Sequence, residues 1–288
     1  MAGEIIDGLA VASDVKKKVK EAVGKLKSRG ICPCLATILV GDNASSATYI
    51  KNKQKAAEEV GISTLDYKLP SSIGHQKLTE IVNLLNADNK VHGILVQLPL
   101  PSNVDEFSIV NSVNPDKDVD GLTSFNAGLL LNGRSYLKPC TPSGIVQMLD
   151  FYKIDVLGLD AIIVNRSNLV GKPLAILLLE RDATVTICHS KTKDLKDKLR
   201  EADMVITAVG NRDIFTLTSE MIKQGSIVID VGITRRQGKI TGDVDFEHVR
   251  EKASWITPVP GGVGPMTVSM LLKNTVSAAS MREGREPT

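Results

Sequence analysis

The chain has 288 residues, of which 42% are hydrophobic and 24% charged, as in globular proteins large enough for two domains. Its formal net charge of +2 gives no electrostatic reason to expect binding to nucleic acid or to an acidic membrane surface. No apolar run approaches the roughly 20 residues of a membrane helix, and the N-terminal pattern is not that of a signal peptide. We therefore expect no nucleic-acid and no membrane partner.

The cysteines and histidines bound the chemistry further. The 4 cysteines are scattered, which is typical of a chain in a reducing compartment and predicts a cytoplasmic protein. The 4 histidines lie far apart in sequence, so we expect no zinc site and no other metal. These residues are Cys32, Cys34, Cys140 and Cys188, and His75, His92, His189 and His248.

Helix and strand patterns alternate through the first 100 residues. Apolar residues from Val11 to Leu26 recur at helical spacing, and Gly30 ends that helix. The apolar run 34–41 predicts a buried strand, and a helix over 46–60 follows with Gly61 as its cap. Strand "STLDYKL", helix "HQKLTEIVNLLNAD" and strand "VHGILVQL" complete the series. This alternation predicts a parallel sheet covered on both faces.

After Pro139 the rhythm restarts, and helical segments separate the first four of five strand candidates. This is the pattern of an open, doubly wound sheet. Pro265 then suits the first turn of a last helix that ends near Met281. The strand candidates are Ala161–Val164, Thr184–Cys188, Met204–Ala208, Ser226–Val231 and Trp255–Thr257.

The stretch "AIIVNRSNLVGKP" is a candidate nucleotide-binding corner. A strand ends at a polar turn, and a helix begins near Gly171, where a cofactor pyrophosphate would lie on the helix N-terminus. Any strand–loop–helix joint is the competing interpretation. A Walker loop is excluded, because Arg166 replaces its first glycine and Pro173 replaces its Ser or Thr.

The next strand end favours one dinucleotide over the other. An Asp or Glu there would bind a free ribose 2′-hydroxyl, but the chain offers His189, Ser190 and Lys191, with Arg166 in the first turn. Hydroxyl and cationic groups suit a 2′-phosphate, which indicates NADP. Asn165 stands where a turn glycine is usual; we expect it to adopt a positive φ and to weaken cofactor binding by its bulk.

Three candidates lie in the first half of the chain, each with a simpler explanation. Tyr49 and Lys53 share a helix face, although the lysine-rich stretch "YIKNKQK" favours a solvated surface. Gln97 ends a buried strand, where ligands gather in such sheets. Asp120 lies in "DKDVDG", which begins like a calcium loop, but Ala127 stands where the loop needs its glutamate. Turn formation alone would explain Asp120.

Taken together, several segments resemble the bifunctional methylenetetrahydrofolate dehydrogenase/methenyltetrahydrofolate cyclohydrolase family. The resemblance covers nearly the whole chain. It rests on "TYIKNKQKAAEEVGI", "VHGILVQLPLP", "PDKDVDGLTSFNAG", "CTPSG", "RSNLVGKP", "CHSKT", "IVIDVGI" and "TPVPGGVGPMTVSMLL". It implies oxidation of 5,10-methylenetetrahydrofolate with NADP, hydrolysis of the methenyl product to 10-formyltetrahydrofolate, a folate partner and a homodimer.

The resemblance also implies an architecture and a set of site residues. Two α/β domains would flank a cleft: a catalytic, folate-binding domain over 1–140, joined by a C-terminal helix over 265–288, and an NADP-binding Rossmann-like domain over 141–264. Implied catalytic residues are Tyr49, Lys53, Gln97 and Asp120. Implied substrate contacts also include Val96, Leu98, Pro260, Gly261, Gly262 and Gly264. Implied cofactor contacts are Asn165, Arg166, Ser167, Ser190 and the backbone of Ile233.

Two positions depart from the family pattern, and both lie on the cofactor side. Asn165 replaces glycine, and Thr234 stands where the family commonly has Asn. A cyclohydrolase with weak or lost dehydrogenase activity is therefore the alternative function. A binding protein without catalysis is a third hypothesis, and the presence of Lys53, Gln97 and Asp120 together opposes it.

Overall fold

The protein is described by a computed structural model that covers residues 2–41, 44–236 and 238–281, with the side chains of 44–50 and 236 left aside. The chain forms two compact units. The six-stranded unit comprises the chain up to Ser13 and Thr141–Thr267, and the three-stranded unit comprises Asp14–Cys140 and the chain from Val268.

The first half of the chain carries a small parallel sheet. Its strand order is β3-β2-β4, with parallel pairing throughout. All seven residues of β2 are buried, and the core beside it is aliphatic, as expected for a strand covered on both faces. The elements in chain order are β1 (Glu4–Ile5), α1 (Gly8–Lys27), β2 (Cys34–Val40), α2 (Ala44–Val60), β3 (Ser63–Leu69), α3 (His75–Ala87), β4 (Gly93–Val96), α4 (Glu106–Ser112), α5 (Ser124–Leu131) and α6 (Cys140–Phe151).

The second half of the chain carries a six-stranded sheet, ordered β1-β11-β8-β7-β5-β6 and parallel at every pairing. The order reverses between β5 and β7, and ligands of such sheets bind outside the carboxyl ends of the strands at this switch point. The elements are β5 (Asp160–Val164), α7 (Gly171–Leu179), β6 (Thr184–Cys188), α8 (Leu195–Glu201), β7 (Met204–Thr207), β8 (Ile227–Asp230), β9 (Thr234–Arg236), β10 (Lys239–Thr241), α9 (Phe246–Arg250), β11 (Trp255–Ile256) and α10 (Val263–Met281).

The predicted α/β class with parallel sheets is confirmed, and three details differ. The connection from β7 to β8 contains a 3₁₀ turn at Ser219–Met221 in place of the expected helix; Gly210 and the β-branched Thr216 and Thr218 disfavour a helix there. The last helix begins at Val263, two residues before the predicted Pro265.

The N-terminal segment provides the third difference. Strand β1 pairs with β11, at the edge of the six-stranded sheet. The first 13 residues therefore pack with the six-stranded unit, whereas the sequence placed them in the first domain. Two residues are too short a strand to give a periodic pattern, so its pairing leaves no signal in the sequence.

Within the ranges described, no helix is both long enough and apolar enough to cross a membrane.

Candidate active site

Lys53 lies on the buried face of α2. Its side chain is 5% exposed, and it shares a stripe at i, i+4 and i+7 with the buried Ala57 and Val60. Lys51 and Lys55 are exposed. The expectation of a solvated lysine face is therefore right for Lys51 and Lys55 and wrong for Lys53, whose position on the apolar stripe was the available signal.

Gln97 fixes the end of the lysine side chain. It follows β4 directly, and its backbone N–H donates to Ile38 O at 2.9 Å, which continues the sheet ladder. Its side-chain Nε2 donates to Leu98 O at 2.8 Å, so Oε1 is left to accept from Lys53 Nζ at 3.0 Å. Val96, the last residue of β4, is buried, and Leu98 is half-buried.

The surroundings of the lysine change its protonation. Burial lowers the pKa of Lys53 below its ordinary value, while the charges of Asp120 and then Cys140 oppose that change. A buried ammonium is disfavoured because its hydration is lost. The amine can therefore exchange a proton at a lower pH than a surface lysine does.

Lys117 anchors the segment that carries Asp120. Its side chain is 2% exposed, and Nζ donates to Leu85 O at 2.9 Å, Asn86 O at 2.8 Å and Asp88 O at 2.7 Å. These carbonyls lie at the C-terminal end of α3, where free carbonyl groups and the helix dipole both favour a cation. The ammonium group thus ties the start of "KDVDG" to that helix end.

Asp118 shapes the same segment from within. Its carboxylate accepts from Leu122 N at 3.1 Å, Thr123 N at 2.8 Å and Asn126 Nδ2 at 2.9 Å. Gly121 has φ +68°, and a Cβ there would lie 2.7 Å from Pro139 N, so a side chain is excluded. The calcium-like spacing therefore serves a folded turn.

Asp120 extends from this turn into partly covered surroundings. Burial raises its pKa, the charge of Lys53 lowers it, and Asp118 adds to the rise. Because Lys53 and Asp120 each affect the other's ionisation, the two groups form one electrostatic site. Turn formation is the work of Asp118, which leaves the Asp120 carboxylate for another role.

Cys140 and Asn274 lie beside the segment that carries Asp120, and the sequence did not indicate either as a functional residue. Burial, followed by the charge of Asp120, raises the pKa of the Cys140 thiol well above its ordinary value. The thiol donates to Val119 O at 3.4 Å, and its sulfur accepts from Asn274 Nδ2 at 3.7 Å. Asn274 Nδ2 donates to Val119 O at 2.8 Å and to Lys138 O at 2.9 Å. Both residues are distant from Asp120 in sequence, so these contacts could not be predicted from sequence.

Two of the predicted substrate elements need separate mention. The side chain of Tyr49 lies outside the described part of the chain; its backbone belongs to α2, one turn before Lys53. The Pro260–Gly264 loop begins with a cis Val259–Pro260 bond and holds Gly261 at φ +106°. A Cβ on Gly262 would lie 2.5 Å from Pro258 O, so this backbone path requires glycine at positions 261 and 262.

Asn165 occupies the turn after β5, at the switch point of the six-stranded sheet. Its side-chain Oδ1 accepts from Ser167 N at 2.8 Å and from Gly171 N at 3.0 Å. Its Nδ2 donates to Ala208 O, just beyond β7, at 2.6 Å. The expected positive φ is wrong: the non-glycine residues with positive φ in the described ranges are Lys153, Asp182 and Asp194. The turn is therefore held by hydrogen bonds of the Asn165 carboxamide and needs no positive φ at this position.

The backbone N–H groups at the start of α7 already have hydrogen-bond partners within the turn. Gly171 N binds Asn165, Lys172 N donates to Ser167 O at 3.1 Å, and Val170 N donates to Ser167 Oγ at 3.1 Å. Pro173 has no N–H. The simple picture of a pyrophosphate bound to the N–H groups of this helix start therefore does not apply while the Asn165 carboxamide stays in place.

The remaining predicted cofactor residues lie at the surface. Arg166 is exposed directly after Asn165, and Ser190 is exposed directly after β6. His189 N donates to Thr192 Oγ1 at 2.8 Å and Thr192 N to His189 O at 2.8 Å, so a tight turn presents Ser190. Ile233 is 51% exposed after β8. Parallel strands bring these positions to the same edge of the sheet.

Two family models match the chain, one in each half. The model of the tetrahydrofolate dehydrogenase/cyclohydrolase catalytic domain matches residues 6–120, and that of the NAD(P)-binding domain of the same family matches residues 139–283. The chain belongs to the tetrahydrofolate dehydrogenase/cyclohydrolase family. The bifunctional protein FolD of Nitrosopumilus maritimus is 58% identical over 98% of both chains.

Two solved structures of the tetrahydrofolate dehydrogenase/cyclohydrolase family superpose on nearly the whole chain. The bifunctional enzyme FolD of Campylobacter jejuni matches with a TM-score of 0.94 and 50% identity, covering 98% of this chain and 100% of that one. The Trypanosoma brucei dehydrogenase-cyclohydrolase, solved with NADP cofactor and an inhibitor, matches with a TM-score of 0.93 and 38% identity over 99% of each chain.

The two departures from the family pattern have local explanations. Asn165 builds the turn through its carboxamide, as described above. Thr234 Oγ1 accepts from Arg212 N at 3.2 Å, which joins the loop after β7 to the start of β9. Both side chains are thus used within the dehydrogenase/cyclohydrolase fold.

Proposed function

We propose that this protein oxidises 5,10-methylenetetrahydrofolate with NADP to the 5,10-methenyl form and hydrolyses that product to 10-formyltetrahydrofolate. The observation that carries the proposal is the buried Lys53 amine, held by Gln97 at 3.0 Å and electrostatically coupled to Asp120, in a chain of this family. Burial shifts the pKa of both Lys53 and Asp120, and such shifted groups are typical of a catalytic centre.

Asp120 is the proposed anchor for the pterin ring. A carboxylate accepts hydrogen bonds from an amino group and a neighbouring ring N–H together, and such charge-assisted pairs set orientation as well as affinity. The buried turn of Asp118 and Lys117 holds this carboxylate in a fixed position. On this proposal Tyr49 packs on the substrate, and Val96 and Leu98 contribute contacts beside Gln97.

The glycine-rich loop is the second proposed substrate contact. Pro260, Gly261, Gly262 and Gly264 supply backbone without bulky side chains, which allows close approach by a flat ring system. The close backbone packing that Gly262 requires keeps the loop in one conformation.

Dehydrogenation requires orientation more than acid–base chemistry. A hydride leaves the methylene carbon between N5 and N10, and the cation that remains is delocalised over both nitrogens. NADP supplies the hydride acceptor. The protein's task is to hold the carbon at the acceptor and to keep water out, which is the proposed work of Asp120 and the glycine loop.

Hydrolysis is where Lys53 acts directly. Water adds to the methenyl carbon and loses one proton, which gives a neutral carbinolamine. The carbinolamine hydroxyl then loses its proton and N5 gains one as the bond from the carbon to N5 breaks, which gives the 10-formyl product. An amine of lowered pKa can take up and return such a proton. Gln97 Oε1 keeps the amine in place, and the cationic substrate favours the neutral amine still further.

The cofactor proposal rests on the donor groups at the edge of the six-stranded sheet. Exposed Arg166 and Ser190 follow neighbouring strands β5 and β6, a hydroxyl and a guanidinium suited to a 2′-phosphate. An acidic residue that would repel this phosphate does not occupy the end of β6, where His189 and Ser190 stand. We assign Asn165 and Ser167 to the turn that the cofactor meets, and the Ile233 backbone to its far wall.

A paired assay tests the proposed function. NADPH formation from 5,10-methylenetetrahydrofolate and the decay of methenyltetrahydrofolate absorbance are measured on one purified sample, with NADP and NAD in parallel. We expect both reactions, with NADP preferred. Hydrolysis without any reduction of NADP or NAD would contradict the dehydrogenase half, and a stable methenyl compound would contradict the cyclohydrolase half.

We also propose a homodimer. Strand β3 is the edge of its sheet within the described residues, and Leu65 and Tyr67 on it are 39% and 36% exposed. An open edge with apolar side chains is suited to pairing with a second copy. Sedimentation analysis should give twice the chain mass. Tyr67→Glu should give a monomer, and Leu84→Glu, a matched change on α3, should not; a monomeric parent protein would refute the proposal.

The remaining expectations concern organisation and location. We propose that the folate-binding domain is the unit with Lys53 and Asp120, and that the NADP-binding domain is the unit with Asn165. A cytoplasmic location is proposed because the 4 cysteines are all free thiols, which suits a reducing compartment. Cell fractionation with an antibody against the chain would test this location.

A further inference from the structure

Two buried carboxylates lie under the carboxyl edge of the six-stranded sheet. Asp230 ends β8 and is 3% exposed, and Asp243 follows β10 and is 0% exposed. Neither side chain has a role in the chemistry proposed above. Buried carboxylates are costly unless they are hydrogen-bonded, so their partners show what they hold.

Asp243 binds the loop after β7. Its Oδ2 accepts from Val209 N at 2.7 Å and its Oδ1 from Gly210 N at 2.9 Å. Both N–H groups follow Ala208, whose carbonyl oxygen binds Asn165. The carboxylate therefore fixes the backbone on one side of the switch point, where a ligand of this sheet is expected.

Asp230 in turn holds Asp243. Its Oδ1 accepts from Gly232 N at 3.0 Å and from Asp243 N at 3.0 Å, and its Oδ2 accepts from Val244 N at 3.0 Å. A Cβ on Gly232 would collide with the Asp243 carboxylate, and one on Gly242 would collide with Asp230. Glycine at both positions lets the carboxylates reach their backbone donors.

This network ends at a proposed cofactor contact. Gly210 has φ +67°, and the atoms nearest to a Cβ built on it are Ile233 O at 3.7 Å and Ile233 N at 3.9 Å. Arg212 N and Thr234 Oγ1 join the same two loops at 3.2 Å. The backbone of Ile233 is thus placed against a loop whose position Asp243 sets.

We propose that Asp243 is a positioning residue for the cofactor, acting through the Val209–Gly210 backbone and the Ile233 wall. The inference rests on the proposed function, because it takes Ile233 as a cofactor contact. Asp243 contacts no reacting atom on this proposal. An Asn in its place would point an N–H toward one of two N–H donors, and the loop would shift.

Asp243→Asn is the first test. We expect the KM for NADP to rise at least tenfold, with kcat changed less than threefold and methenyl hydrolysis unchanged, because hydrolysis uses no nicotinamide. Asp245→Asn makes the same change two residues away, on a carboxylate that pairs with His248 at 2.8 Å, and should leave both constants as they are. An unchanged KM for NADP, or an equal loss of hydrolysis in folded protein, would overturn the proposal.

A second variant covers the case in which Asp243→Asn does not fold. Gly232→Ala adds one methyl group against the same carboxylate and should also raise the KM for NADP selectively. Calorimetric titration with NADP separates this inference from the proposed function: weaker binding in either variant supports it even if turnover is absent in the parent protein. Unaltered NADP binding in Gly232→Ala would refute it.

Discussion

Lys53, the group assigned to proton transfer, is buried, whereas Arg166 and Ser190, the groups assigned to the cofactor phosphate, lie at the surface. Lys53 is 5% exposed and Ile233 is 51% exposed, and Arg166 and Ser190 are exposed as well. In the first region burial alters the reactive group itself, by lowering its pKa. In the second region, the exposed loops are held by the partly buried Asn165 and the buried Asp243. Proton chemistry benefits from a changed pKa, and recognition of a phosphate benefits from an accessible full charge.

If this contrast is right, changes in the two regions should separate the two activities. The largest effect is expected for Lys53→Met, which should reduce methenyl hydrolysis at least about 100-fold, since it removes the proposed proton acceptor. The melting temperature should fall slightly, because Gln97 Oε1 and the Asp120 carboxylate lose their partner. Lys55→Met, on the exposed face of α2, is the control, and unchanged hydrolysis in Lys53→Met would remove the assigned role.

Asp120→Ala sharpens the comparison by testing binding. The substrate loses a charge-assisted hydrogen-bond acceptor, so the KM for both folate substrates should rise by about 10- to 100-fold. The KM for NADP should change little. Asp116→Ala alters an exposed carboxylate in the same segment and should have no effect on either constant. An unaltered folate KM in Asp120→Ala would mean that the pterin binds elsewhere.

Arg166→Ala tests the exposed side. Loss of the guanidinium should reduce the preference for NADP over NAD by about 10-fold, because the 2′-phosphate loses a charged partner. Hydrolysis should be unaffected. Lys172→Ala is a suitable control, since that amine is held by Asn168 Oδ1 at 2.8 Å. The measurement is kcat/KM with each dinucleotide, and a constant ratio would exclude Arg166 from phosphate recognition.

Asn165→Gly tests a support of the exposed side. The turn loses the bonds to Ser167, Gly171 and Ala208 and is no longer held in one conformation. We therefore expect the KM for NADP to rise about fivefold, which corresponds to roughly 1 kcal/mol. The alternative, that the bulk of the asparagine side chain impairs binding, predicts a lower KM in the glycine variant. That result would therefore favour the alternative.

The last prediction concerns stability and pH, and it leaves both activities unchanged at neutral pH. Burial raises the pKa of Asp230 to about 6, so between about pH 4 and pH 6 the folded protein binds more protons than the unfolded chain. Its free energy of unfolding from this group should then fall as pH rises through that window, by on the order of 2 kcal/mol. Urea denaturation of the parent and of Asp230→Asn at pH 4.5 and pH 7 measures the difference, and equal pH slopes would refute the assignment.

The sequence predicted most of the fold because buried parallel strands leave apolar runs that need no tertiary information. Such runs located β2, β4, β5 and β7 within a residue or two. The sequence did not predict β1, because its two residues are recognised as a strand only by their pairing with β11. The helix expected between β7 and β8 is absent for a local reason, because Gly210, Thr216 and Thr218 disfavour it.

The site was predictable where a motif carries the chemistry and unpredictable where tertiary contacts do. Resemblance supplied Lys53, Gln97 and Asp120, and the structure gathers them in one electrostatic site. The supporting roles of Lys117 and Asn274 depend on carbonyl groups brought from other elements. Residue type and spacing do not indicate those carbonyl partners, so such supporting roles can be recognised only in the folded structure.

The carboxamide at the first turn has a consequence for how such corners diversify. A turn after the first strand can form without glycine if the residue in its place has a side chain that hydrogen-bonds to three groups. These are the backbone N–H two residues on, the N–H at the start of the helix and a carbonyl group beyond the neighbouring strand. A fingerprint that insists on glycine would discard chains of this sort, and one that admits a short amide at this place would keep them.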